Sequence, residues 1–167
     1  MLIVKFFLKF IKLLNADGDP RAVAGGLALG MILGFLPKFG PLGLVLMVLI
    51  LFVNVNFSAA LVGAALFSGV AWIGDPFFNR VGEIFLNAPP LQNIWTALYN
   101  TPFVPWTRFN NTLVLGGFFV GLIGVVPAFF IFRWSLLKYR EKVLAAVGRW
   151  KITQALKAFK LVRFFWE

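Results

Sequence analysis

A chain of 167 residues that is 60% hydrophobic and 13% charged, with a mean hydropathy of +0.88, lies outside the range of soluble domains. It carries a formal net charge of +10 and has neither cysteine nor histidine, which excludes disulfides, thiol catalysis and thiolate metal sites and removes the commonest metal ligand and general base. This is the composition of an integral membrane protein, and the length suits a single membrane domain over residues 1–167 with no separate soluble domain.

Residues 1–14 read MLIVKFFLKFIKLL, with Lys5, Lys9 and Lys12 on one narrow helical stripe. Such a helix lies in the membrane interface with its lysines reaching toward headgroups. No small-residue cleavage site follows, so the segment does not read as a cleavable signal. In the turn that follows, Asp19 is placed as a helix cap and Pro20 at the first helical position, so a helix is predicted to start near Arg21.

Residues 22–53 form two glycine-rich apolar segments interrupted by Pro37, Lys38, Phe39, Gly40 and Pro41. As helices of about fifteen and twelve residues they reach about 22 and 18 Å, short of a hydrocarbon core about 30 Å thick. A short broken or re-entrant helical hairpin is therefore predicted. Ala22, Gly26, Gly30 and Gly34 recur every four residues and make a seam on which another backbone can approach closely. The prolines and Gly40 force the helix to stop at the break, and the freed carbonyls need protein, water or a ligand.

Asn54 and Asn56 then precede an apolar run, residues 57–74, just long enough to cross. Ala60, Ala64 and Ser68 repeat the four-residue spacing and offer a mate for the glycine seam. The run is expected to end at Gly74, with Asp75 capping a new helix that Pro76 opens; a functional carboxylate at Asp75 is the alternative. Residues 77–111 are mixed. Leu91, Ile94, Trp95, Leu98 and Tyr99 share a helical face and, with Trp106, suit a membrane surface, while Arg108 is a candidate functional cation. Residues 112–132 are the clearest span, free of charge, with Gly117, Gly121 and Gly124 as a small face and a kink expected at Pro127.

Residues 133–167 carry nine Lys and Arg against two Glu, an excess of +7. Positive-inside counting puts this tail in the cytoplasm, and Lys5, Lys9, Lys12 and Arg21 put the N-terminus there too. Crossings must then be even in number, the loop 77–111 faces the outside, which in a bacterium is the periplasm, and residues 22–53 must enter and return on the cytoplasmic side. The tail basics, Lys157 and Lys160 among them, are interleaved with Trp150, Phe159, Phe164, Phe165 and Trp166, which suits anionic lipid and argues against nucleic acid. The predicted fold class is thus all-α and membrane-integral: a broken hairpin, two transmembrane helices, and amphipathic interfacial helices at both ends and in the periplasmic loop.

The stretch DPRAVAGGLALGMILGFLPKFGPLG, the NVN step and the later FSG and DP steps resemble the bacterial membrane-protein family called domain of unknown function 2062. Asp19, Pro20, Gly30, Gly34, Pro37, Gly40 and Asn56 fit its pattern, whereas Lys38 stands where an uncharged residue is expected. LYNTPFVPWTRFNNT and LLKYREKVLAAV resemble a narrower proteobacterial subgroup. The resemblance implies an inner-membrane location and, for the subgroup, a large periplasmic AsmA-like envelope protein as partner. The function expected is a non-enzymatic subunit of an envelope lipid-transport or maintenance complex that feeds lipid to that partner, with membrane lipids as further partners, homo-oligomers open and no cofactor. The alternative is a small solute or ion transporter or channel that uses broken helices. An enzyme is the least favoured class, because no nucleophile, base and orienter gather in the sequence.

Overall fold

A computed structural model describes residues 19–37 and 40–149, with side chains to Lys142. The expected N-terminal helix with Lys5, Lys9 and Lys12, the break residue Lys38, and the tail positions Lys157 and Lys160 lie outside the described residues.

Helix α1 runs Pro20–Phe35, with Pro20 in the first turn and Asp19 Oδ1 accepting from the Arg21 N–H at 2.9 Å, the cap that the sequence predicts. It stops at Leu36, which is extended (φ −91°, ψ 151°) because the residue before a proline is pushed out of the helical region. Gly40 donates its N–H to the Pro37 carbonyl at 2.9 Å, and Pro41 opens the eleven-residue α2, Pro41–Leu51. After α2 the chain is back beside the start of α1. The Asn56 N–H donates to the Ala22 carbonyl at 2.9 Å, closing the base of the hairpin. The Asn56 side chain accepts from the Ala59 N–H at 2.9 Å and caps α3.

Helix α3 spans Phe57–Asn87, 31 residues, and does not end at Gly74 as expected. It continues through Asp75 and Pro76, so Asp75 is a half-buried residue of the helix interior and caps nothing. Pro76 lacks the N–H that would bond the Trp72 carbonyl. The helix continues because the turns beyond Pro76 pack on the last helix through Phe78 and Gly82, both buried. A short 3-10 turn, Pro89–Leu91, leads to α4, Gln92–Tyr99, and a second 3-10 turn, Val104–Thr107, precedes α5. Helix α5 runs Thr112–Arg149, through Pro127 and past Arg133, where only the composition changes and not the secondary structure. Asn111 Oδ1 accepts from the Leu113 and Val114 N–H groups at 3.0 and 3.2 Å and starts α5. The Thr112 hydroxyl meets Asn79 Oδ1 on α3.

Helices α1, α3 and α5 form the core. Gly26 abuts Ala59 and Ala60, and Gly34 abuts Ala64 and Phe67, so α1 and α3 run parallel. Gly117 lies against Phe35, Gly121 against Ile32 and Gly124 against Met31, so α5 descends antiparallel to α1. At the far end of α5 Leu136 joins Val23, Leu27, Ala59 and Val62 in one buried cluster. The start of α1, the α2–α3 junction and the basic part of α5 therefore share one end of the bundle, and the turns around α4 occupy the other. Helices α3 and α5 are long and apolar enough to cross a membrane. At about 1.5 Å per residue α1 is about 24 Å long and α2 about 16 Å, so neither crosses a core of about 30 Å upright. Helix α2 buries only Ile50 and leaves Leu44, Val45, Met47, Val48, Leu49 and Leu51 exposed.

Candidate functional site

The hairpin turn projects toward the loop end of the bundle and meets the Val104–Thr107 turn across an open cleft of about 820 Å³. Pro37, Gly40, Pro41, Leu42 and Gly43 line it from the hairpin side, and Pro105, Trp106, Thr107, Arg108 and Asn111 from the loop side. Leu36, Leu113 and Val114 complete its lining. Of the break residues read from the sequence, Pro37, Gly40 and Pro41 thus come together with Arg108, far away in the chain.

Two non-glycine residues with positive φ, Phe103 (67°) and Arg108 (57°), bracket the loop side of the cleft. Such conformations cost on the order of 1 kcal/mol or more each and persist where surrounding contacts impose them. Here those contacts are backbone hydrogen bonds: the Trp106 N–H donates to the Phe103 carbonyl (3.2 Å), that of Arg108 to Pro105 (3.0 Å), and that of Asn111 to Arg108 (2.9 Å). The Thr107 hydroxyl donates to the Val104 carbonyl at 2.7 Å, and the Phe103 and Trp106 rings meet edge to face at 5.3 Å. Arg108 is the sole ionisable residue among the described lining residues, and both it and the Trp106 indole are exposed.

On the other side of the hairpin turn an apolar groove of about 260 Å³ lies between α1, α2 and α3, lined by Leu33, Pro37, Gly43, Leu44, Met47, Leu61, Ala64, Ala65 and Ser68. Pro37 and Gly43 border both spaces. A further apolar hollow of about 300 Å³ sits toward the basic end against Leu66, Phe132, Ser135 and Tyr139.

The seam residues Gly26, Gly30 and Gly34 lie directly on α3. A Cβ at Gly26 or Gly30 would overlap the carbonyl oxygens of Asn56 and Ala60, and one at Gly34 would stand 2.6 Å from Phe67 Cβ and 2.8 Å from the Ala64 oxygen. Ala60 and Ala64 are the partners on α3; Ser68 instead bonds its own helix, donating to the Ala64 carbonyl at 2.6 Å. A second seam was not singled out from the sequence. A Cβ at Gly82 would overlap the Thr112 carbonyl, and one at Gly116 that of Phe78. Its signal was a pair of glycines, but Gly82 fell in a stretch read as loop. Asn54 is exposed near the base of the hairpin, and Asn56 spends its side chain and its N–H on structure. Of the surface face expected around α4, Trp95 turns inward and donates its indole N–H to the Phe85 carbonyl at 3.0 Å, while Ile94 and Tyr99 stay exposed. Among the described residues no three His, Cys, Asp or Glu side chains gather in a metal-binding group, and no polar or charged side chain is buried.

The family model described as an uncharacterized protein conserved in bacteria (DUF2062) matches residues 5–144. An uncharacterized protein of Treponema pallidum (strain Nichols) is 29% identical over 137 residues, which is 82% of this chain and 85% of that protein. No solved structure matches the chain. The matched region takes in the whole hairpin, both seams and the cleft, and the chain belongs to the DUF2062 family.

Proposed function

We propose that this chain is a non-catalytic subunit of a bacterial inner-membrane complex for envelope lipid transport or maintenance, feeding lipid to a large AsmA-like periplasmic protein. The observation that carries this reading is α2, an eleven-residue apolar arm that packs on the core only along the face of Leu42, Leu46 and Ile50, leaves its other large aliphatic side chains exposed and is tied at its base to α1. An arm of about 16 Å in a core of about 30 Å makes the bilayer thin or rearrange around it, and local thinning lowers the barrier to lifting a lipid out. The hairpin is then re-entrant from the cytoplasmic side, with both chain ends there. Supporting that orientation, Arg21, Arg133, Lys138, Arg140 and Lys142 belong to the end of the bundle opposite α4, as positive-inside bias requires. Nothing in the family match or the relative speaks for an enzymatic activity.

A solute-conducting role fits less well. The broken hairpin would suit it, but a polar path needs inward-facing polar groups, and none is buried among the described residues. The test is affinity purification from native bacterial membranes, followed by transfer of labelled phospholipid from vesicles to the recovered partner. Co-purification of an AsmA-like protein and transfer that depends on this chain are expected. Solute flux by the chain alone in liposomes, with no such partner recovered, would contradict the proposal.

A further inference from the structure

We infer that the cleft between the hairpin turn and the Val104–Thr107 turn holds the phosphate of a membrane phospholipid headgroup, with an acyl chain of the same molecule laid in the groove between α2 and α3. This rests on the membrane-lipid reading above and names where the lipid sits.

The two spaces meet at Pro37 and Gly43, so a ligand can bend around the hairpin turn from one into the other. Their chemistry differs as the two halves of an amphiphile do. The cleft, at about 820 Å³, is of small-molecule size and offers donors from Arg108, Asn111 and Trp106. The groove, at about 260 Å³, is too small for a whole lipid and is walled mostly by aliphatic side chains such as Leu33, Leu44, Met47 and Leu61.

Charge selects the headgroup. No carboxylate is among the described lining residues, and the one ionised side chain there is a guanidinium, whose planar fork matches a phosphate in two parallel hydrogen bonds. Arg108 stands on a backbone held in the left-handed region by bonds on either side, so the fork is presented from a fixed base. The exposed Trp106 at the mouth is the kind of amphipathic ring that settles at headgroup depth. Free phosphate would use the same arginine, but it has no use for the adjoining apolar groove.

The experiment uses the full chain in maltoside micelles with a phosphatidylglycerol probe bearing a photoreactive group in one acyl chain. Crosslinks are expected to concentrate on α2 and α3 around Leu44, Met47 and Leu61. Arg108→Gln should lower the labelling at least about tenfold, since loss of even one of the two charge-assisted hydrogen bonds has that effect, and Arg108→Lys should restore part of it. A diacylglycerol probe without phosphate should label this groove as weakly as Arg108→Gln does. Gly43→Leu provides a second variant, because a Cβ there meets only the Pro37 carbonyl at an ordinary 3.5 Å, so the chain tolerates it while the side chain blocks the junction. It too should suppress the labelling. Labelling unchanged by both variants, or spread evenly onto exposed Ile73 and Ile123, overturns the site. Full competition by millimolar inorganic phosphate overturns the lipid as its ligand. A site that labels as expected while no AsmA-like partner or lipid transfer is found leaves the site standing and removes the transport reading.

Discussion

Both arms of the hairpin are apolar, the second more so than the first, and their fates are opposite. Helix α1 is rich in glycine and alanine and buries most of its length against α3 and α5, whereas α2, PLGLVLMVLIL, buries one residue and presents large aliphatic side chains outward. In water the reverse would be expected, since large aliphatic residues drive burial there. Where the surroundings are hydrocarbon, exposing leucine costs nothing, and association comes from close backbone contact that only small residues permit. Small residues therefore mark where α1 meets α3 and α5 backbone to backbone, and large ones mark the outward faces of α2.

That contrast orders the expected effects of substitution. Gly30→Leu should be the most damaging, because its side chain would drive into the Ala60 backbone in the middle of the α1–α3 seam, between the contacts of Gly26 and Gly34. A loss on the order of 3 kcal/mol is expected, seen as collapse of the folded fraction in size-exclusion of the detergent-solubilised protein. Gly82→Leu should come close behind, since its neighbour is the Thr112 backbone. A mild effect there would mean that α3 does not continue past Pro76 as a packed helix. Asn56→Ala removes the cap of α3 and should cost about 1 kcal/mol, readable as a lower unfolding midpoint in detergent. Leu49→Ala on α2 should change stability by less than about 0.5 kcal/mol, as its side chain is 53% exposed. A loss comparable to that of Gly30→Leu would show that α2 is packed after all, against a second copy or a partner.

Much of this was legible in the sequence. Asp19 and Pro20 announced the start of α1 through capping chemistry that acts within a few residues. The prolines and Gly40 announced the break, and the four-residue spacing of glycine and alanine announced which faces of α1 and α3 meet. One expectation failed for a tertiary reason. At Gly74, Asp75 and Pro76, local signals for a helix end were strong, but Phe78 and Gly82 pack on α5, and tertiary contact overrode local propensity. At Arg133 the composition turns from apolar to basic without ending the helix, since arginine and lysine are good helix formers and α5 runs on. The cleft was out of reach for a different reason. The sequence offered Arg108 and the break as separate features, and only the left-handed turn at Phe103 and Arg108, with the fold's return of α5 alongside Leu36, brings them together.

The central claim is that the hairpin leaves and re-enters the same side of the membrane, so that the α2–α3 junction and the α4 loop lie on opposite sides. The natural chain has no cysteine, which allows single-cysteine variants at Asn54 and Thr101 to be labelled without background. With a membrane-impermeant thiol reagent on intact bacteria whose outer membrane has been made leaky, Thr101→Cys is predicted to react at once and Asn54→Cys only after the inner membrane is opened. Prompt labelling of Asn54→Cys in sealed cells would contradict the account.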